Sequence, residues 1–271
     1  MPELPEVALA GEQLRAWVEG VEAVEVRDPR AVKGAAGDFA AALEGRRVTA
    51  VERIGKHLIA RMEDHAWWIH LGMSGRLARR AAAEELPKAT RWAVRSGGHW
   101  MGLVDPRVFG RTAAGERSWV LGVAQIEGLG PDALAIDPAT LGERLAGTRR
   151  AVKVALMDQA LIAGLGNIQV AEALFRAGIH PRRPARTLDE GEVAALWTGV
   201  HGTLEDTLDD LRTEADERGE VTYMSDGGGN PFSVYGREGE PCVRCGGAIA
   251  RMVQGGRGTY FCPRCQPERG K

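Results

Sequence analysis

Four cysteines, Cys242, Cys245, Cys262 and Cys265, form two C-x2-C pairs separated by sixteen residues. Each pair can place two thiolates on one turn, and two such turns close a tetrahedral site for one structural Zn²⁺. The intervening GGAIARMVQGGRGTYF reads as a β-hairpin, which makes the module a zinc ribbon. Four sulfur ligands fill the coordination sphere and leave no position for an activated water. Two disulfides are the alternative, and the lack of a basic-then-apolar leader argues against them. The hairpin carries Arg257 between Gly256 and Gly258. That is an ordinary place for a surface arginine, but a metal-held turn presenting a guanidinium also suits a phosphate.

At the other end, MPELPEV sets two prolines and two carboxylates, Glu3 and Glu6, in one short stretch. Chain ends usually fray and tolerate change. One reading is a proline-ordered entry into a helix near Pro5, with Glu6 on its positive end. The sharper reading is that the terminus itself takes part in chemistry.

The elements that must position these groups follow from patterning. Residues 6–19 set Val7, Leu14, Trp17 and Val18 on one helical stripe. From about Val21 to Gly110, runs such as VEAVEV, KHLIARM and AWWIHLGM alternate with Gly, Asp and Pro, the texture of antiparallel strands in a sandwich or barrel. DFAAALEG (38–45) predicts a short helix capped by Asp38 and stopped by Gly45. From about Pro131 the spacing turns helical, with helices expected over RAVKVALMDQALIAG and NIQVAEALFRAG around a tight GLGN turn (164–167). The expected fold is α+β. A β-sandwich with flanking helices (1–112) is followed by a linker (113–130), a helical domain (131–224), and a loop plus the ribbon (225–271).

The chain has 271 residues, 44% of them apolar and 27% charged, enough for one large or two smaller domains. No apolar run is long enough to cross a membrane, so a cytosolic location is expected. The net charge of −2 hides an asymmetry, with a local +5 over 46–80, +4 over 236–271 and −9 over 189–220. Solvated faces of opposite sign would account for this. The functional reading is two basic segments lining a groove for a polyanion, with nucleic acid as the favoured partner.

PELPEV, GKHL (55–58), HLGMSG (70–75), DPRVFG (105–110), DQALIAGLGNIQVAEALF (158–175), VYGREGEPC (234–242) and GRGTYFCPRCQ (256–266) occur together and in this order. Jointly they resemble the formamidopyrimidine-DNA glycosylase family, which also contains endonuclease VIII. The resemblance spans almost the whole chain. PEL at the start, Lys153 and a Met/Arg/Phe set lean towards the formamidopyrimidine branch. The resemblance implies a helix-two-turn-helix domain and one structural Zn²⁺. It also implies a monomer in the bacterial cytosol that acts on double-stranded DNA with a damaged base or abasic site and has no membrane partner. The implied activity is base excision by a bifunctional glycosylase and abasic-site lyase.

The same resemblance assigns roles. Removal of the leading methionine would leave Pro2 as a secondary amine, and an α-amino group titrates near pH 8, so much of it is neutral and nucleophilic (about 8). Attack on C1′ of the damaged nucleoside would give a Schiff base, followed by β- and δ-elimination. Glu3 is the implied general acid/base, and Glu6 helps hold the site. Lys56, His70, Asn167 and Arg257 are implied on phosphates, with Lys153 also on DNA. Met73, Arg107 and Phe109 would fill the gap left by an extruded base. Out of context, Lys56 is a solvated strand lysine, His70 a satisfied strand histidine, Asn167 a helix cap, and Met73 and Phe109 core residues. The rivals are a damage-binding protein without catalysis, a lyase acting mainly on abasic sites, and an RNA- or DNA-binding zinc-ribbon protein in transcription.

Four features depart from the family pattern. Ala8 stands where glutamate is usual, Val108 replaces the second arginine of DPRRFG, and Gln169 and Ala171 replace Tyr and Asp. The segment TYMSDGGGNPFS (222–233), where a loop would close over flipped 8-oxoguanine, is short and rich in glycine. Such a segment has high conformational entropy and few side chains with which to grip a base. Discrimination for 8-oxoguanine is therefore expected to be weaker than a long-loop relative would show, with ring-opened formamidopyrimidines, oxidised pyrimidines and plain abasic sites processed comparatively well. Single-turnover rates on matched duplexes check this, and fastest excision of 8-oxoguanine opposite cytosine would contradict it.

Overall fold

A computed structural model describes residues 2–218 and 230–268. The chain divides into two compact units, Met1–Gly128 with Leu211–Val221, and Leu129–Asp210 with Thr222–Lys271. The segment expected to close over a flipped base lies outside the described residues except for 230–233.

The first unit holds helices α1 (Leu4–Trp17), α2 (Ala36–Leu43) and α3 (Arg117–Ala124). Its strands are β1 (Ala23–Val26), β2 (Ala50–Ile54), β3 (His57–Arg61), β4 (His65–His70), β5 (Arg76–Arg80), β6 (Thr90–Ser96), β7 (His99–Val104) and β8 (Arg111–Glu116). They form two antiparallel sheets, ordered β1-β6-β7-β5 and β2-β3-β4-β8. One face of each sheet supplies a shared core, with Leu58, Trp67 and Ile69 from one and Trp92, Val94 and Leu103 from the other. Val7 and Leu14 of α1 and Phe39 and Leu43 of α2 join it, as the helical stripe requires. Ile59 and Trp68, on the opposite face of β3 and β4, pack against Val120 and Ala124 of α3. Two covered faces explain why AWWI reads as a continuous apolar run rather than an alternation.

Two local expectations are corrected. Helix α2 begins at Ala36 with Ala35 as its cap, so Asp38 sits inside the first turn, where its charge suits the helix dipole. The stretch expected to be a linker continues strand β8 to Glu116 and then forms α3, capped by the Glu116 side chain on Ser118 N–H. Its alanines and glycines carried no strand signal; pairing with β4 supplies it.

The second unit contains α4 (Pro138–Ala146), α5 (Val152–Leu156), α6 (Asn167–Ala177), α7 (Glu190–Arg218, whose last residues belong to the first unit) and the ribbon hairpin β9 (Ala250–Gln254) and β10 (Arg257–Phe261). The long helix expected over 150–164 is only the short α5. The rest forms turns pinned by Gln159, whose Nε2 donates to Met157 O (3.1 Å) and Leu165 O (2.9 Å) while Oε1 accepts from Gly164 N (2.9 Å). Gly164, at φ +106°, takes a conformation that L side chains rarely adopt.

Helix α6 anchors the ribbon. Buried Glu172 accepts from the backbone N–H groups of Ser233, Val234 and Tyr235, each at 2.9 Å. Arg244 lies 4.4 Å over the Phe175 ring and donates to Phe175 O at 2.9 Å, at the C-terminal end of the helix. Glu172→Gln keeps the shape but sets an amide donor against a backbone donor. It is expected to cost about 2 kcal/mol of stability, read as a lower denaturant midpoint with zinc content retained.

Candidate active site

In the first unit, Pro2 and Glu3 are buried at the start of α1. Glu3 is the helix cap, and Glu3 and Glu6 form a reciprocal capping box in which Glu3 N–H donates to Glu6 Oε2 at 2.8 Å. Burial, with the Glu3 carboxylate beside it, pushes the Glu6 carboxyl up to about 7. The array therefore holds one carboxyl poised near neutrality next to another, an arrangement that can keep or release a proton at physiological pH.

Lys56 lies half-buried in the turn between β2 and β3, and His70 ends β4. His70 Nδ1 accepts from Gly72 N–H at 3.1 Å, which places the ring proton on Nε2. Burial, then the charges of Lys56 and Arg111, lower its pKa. His70 thus offers a neutral donor and not the cation that a phosphate contact suggests from sequence.

Met73, Arg107 and Phe109 are all exposed, which removes the core reading of Met73 and Phe109. The Arg107 guanidinium lies 4.9 Å over the Phe109 ring. Their two loops abut at Gly72, where a Cβ would come within 2.4 Å of the Phe109 carbonyl carbon. Asp105, fully buried, binds both loops, accepting from Ser74 Oγ (2.5 Å), Gly110 N (2.6 Å) and Arg107 N (3.3 Å). Val108, between the two exposed side chains, has φ +56°, a strained value for a β-branched residue.

In the second unit, Lys153, Asn167 and Arg257 converge on the ribbon turn. The turn itself is Gly255–Gly256, both at positive φ, and Arg257 is the first residue of β10 rather than a turn residue. Arg257 is exposed. Asn167 is the first residue of α6 rather than its cap, which is Gly166, and its Nδ2 donates to Gly258 O at 2.9 Å. Lys153, expected on DNA, is buried, with Nζ donating to Gln254 O at 3.3 Å. Burial, and secondarily Arg257, lowers its pKa to about 8. Its amine serves the inside of the turn because the ribbon covers it.

The four cysteine sulfurs lie within 4.8 Å of one another, with Cys242–Cys265 at 3.8 Å and Cys245–Cys262 at 3.5 Å. A tetrahedron of sulfurs about 2.3 Å from zinc has edges of about 3.8 Å, so the sulfurs fit the ion. Arg244 N–H and Cys265 N–H donate to the Cys242 and Cys262 sulfurs (3.4 and 3.5 Å), the outer-shell support that thiolate ligands use.

Asp105, Gln159 and Glu172 were not singled out from sequence. Asp105 and Gln159 fall inside recognisable motifs, but nothing in the motifs says which backbone groups they bind.

A zinc ribbon fixed on a helix-two-turn-helix unit, accompanied by a β-sandwich with carboxylates at its helical N-terminus, defines a class of nucleic-acid-processing folds. Models of the formamidopyrimidine-DNA glycosylase N-terminal domain and H2TH domain match residues 1–112 and 128–216, and a zinc finger found in FPG and IleRS matches 239–267. The chain is 36% identical to formamidopyrimidine-DNA glycosylase of Bacillus subtilis, over 99% of this chain and 100% of the relative. It is 40% identical to that of Acidiphilium cryptum, over 98% and 100%. A Lactococcus lactis formamidopyrimidine-DNA glycosylase bound non-covalently to DNA with an abasic site superposes with a TM-score of 0.84 at 27% identity, over 98% and 100%. The Thermus thermophilus MutM (FPG) structure gives 0.78 at 36%, over 99% and 100%. The chain belongs to the formamidopyrimidine-DNA glycosylase family.

The raised Glu6 pKa makes stability depend on pH. Between its ordinary value of 4.5 and about 7, the folded state holds a proton that the unfolded chain has released. Stability from this group is therefore lost as pH rises through that window. Thermal melts of Glu6→Gln should gain on the wild type from pH 5 to pH 8, roughly spanning the window. Parallel curves would remove Glu6 from this role.

Proposed function

We propose that this chain excises oxidised or ring-opened bases from duplex DNA and then cleaves the abasic strand through a Schiff base on Pro2. The carrying observation is the Pro2–Glu3–Glu6 array, with Pro2 and Glu3 buried and the two carboxylates locked by the capping box at the N-terminus of α1. The same unit carries Met73, Arg107 and Phe109 exposed on two abutting loops, as an apolar plug, a cation and an aromatic wedge require. With the leading methionine removed, the Pro2 nitrogen lone pair attacks C1′ and the bond to the base breaks. The base leaves with a proton, and Glu3 is the nearby acid/base for that transfer. The proline N–H proton is lost, the C1′–O4′ bond breaks with a proton taken up at O4′, and the resulting iminium acidifies C2′–H. Loss of that proton expels the 3′ phosphate, and a second elimination expels the 5′ phosphate. Glu6, near neutrality and bonded to Glu3 N–H, keeps the capping box closed while charge moves beside it. Zinc stabilises the ribbon and supplies no reacting group, because four sulfurs complete its coordination. No described helix is long and apolar enough to cross a membrane.

Borohydride should trap a covalent protein–DNA adduct on abasic DNA, and Pro2→Gly should lose most of it. Full trapping by protein that retains the leading methionine would refute the assignment.

Phosphate contacts differ in charge. Lys56→Met should reduce the log–log salt slope of DNA binding by about one, as should Arg257→Met. His70→Ala should weaken binding with the slope unchanged, because its imidazole is neutral. An equal fall in slope for His70→Ala would show that it binds as a cation.

A further inference from the structure

Two imidazoles face each other in the first unit, and only His70 has a task so far. His57 opens β3, His70 closes β4, and they are direct cross-strand partners with ring centroids 5.1 Å apart. Trp68, two residues before His70 and so on the same face of β4, stacks on His57 at 5.9 Å and 23°. Its Nε1–H donates to His57 Nδ1 at 3.0 Å. His70 Nδ1 in turn accepts from Gly72 N–H. Both Nδ1 atoms are acceptors, so each neutral ring carries its proton on Nε2. Protonation of either would set an N–H against an N–H. The charge of Lys56, in the turn before β3, acts against that event at both rings, and the charge of Arg111 of β8 acts against it at His70. Gly72 leaves no slack, since even a Cβ there would strike the Phe109–Gly110 backbone.

We propose that His57 and Trp68 are positioning residues that fix the His70 ring on the Gly72 amide and so hold the Met73 loop against the loop of Arg107 and Phe109. The proposal rests on the reading that Met73 fills the gap left by an extruded base. Without the Trp68 hydrogen bond, His57 can turn, the facing His70 ring loses its partner, and the Gly72 amide loses its fixed acceptor.

His57→Phe keeps an aromatic ring but removes the acceptor. Trp68→Phe keeps a ring but removes the donor. Thermal melts establish that each variant is folded. Nitrogen-15 NMR of the imidazoles should show His70 as the Nε2–H tautomer in the wild type and as mixed tautomers in both variants. Excision of a formamidopyrimidine opposite cytosine should fall about tenfold in kcat, a barrier change of about 1.4 kcal/mol. The double variant should lose no more than either single one, since both break the same bond. An unchanged His70 tautomer in folded His57→Phe overturns the proposal, and so do additive losses in the double variant. Met73→Ala separates the two readings. Lost excision in Met73→Ala with full excision in His57→Phe refutes the positioning role. Full excision in Met73→Ala refutes the role given to Met73, and the tautomer then decides the positioning role alone.

Discussion

The buried carboxylate of Asp105 is the constraint on which the first unit's working surface depends. A carboxylate taken out of water is costly unless its oxygens are met by donors. Asp105 meets three, from Ser74, Arg107 and Gly110, and these come from the two loops that carry Met73, Arg107 and Phe109. Satisfying the charge and joining the loops are one event. The second unit repeats the device, with Glu172 on three successive backbone N–H groups ahead of the ribbon. Hydrogen bonds to a charged group contribute about 1.5–3 kcal/mol each, more than neutral ones, so a few such contacts can set a loop that has little core of its own. Glu6 is the variant on the theme. Backbone N–H groups of Glu3 and Glu6 meet it, but a neighbouring carboxylate and burial oppose its charge, which is only partly favoured.

This uneven satisfaction sorts structure from chemistry. Asp105 and Glu172 are fully matched and act as fasteners. Glu6 is under-matched and sits near neutrality in the first turn of α1. His57 and His70 follow the same logic in reverse. Burial and nearby cations hold them neutral, so they orient groups by accepting hydrogen bonds rather than by charge.

Three of the residues that depart from the family pattern, Gln169, Ala171 and Val108, have structural accounts. Gln169 is buried and donates to Thr207 Oγ1 at 3.1 Å, while Ala171 packs among Phe175, Val234, Cys242 and Cys262. Both positions are buried, Ala171 in the seat of the ribbon and Gln169 against α7. Val108 occupies a left-handed conformation between Arg107 and Phe109, and the Arg111 guanidinium donates to its carbonyl at 2.7 Å. The backbone is held by its neighbours in a shape that valine alone would not choose.

The sequence by itself determined the cysteine ribbon, the sandwich core and the family. These rest on short-range spacing: thiols two apart, apolar residues at strand and helix periods, and motifs in fixed order. Met73 and Phe109, which out of context read as core residues, are exposed in the structure. Tertiary structure alone decided which residues meet. Lys153, Asn167 and Arg257 are drawn to one turn from α5, α6 and β10, and burial makes Lys153 an internal donor to Gln254. Local periodicity extended α5 too far because the competing contacts of Gln159 are made across the turns, not along a helix. Protonation states were equally out of reach. The burial that raises Glu6 and lowers His57 and His70 comes from side chains far away in sequence, so it exists only once the chain has folded.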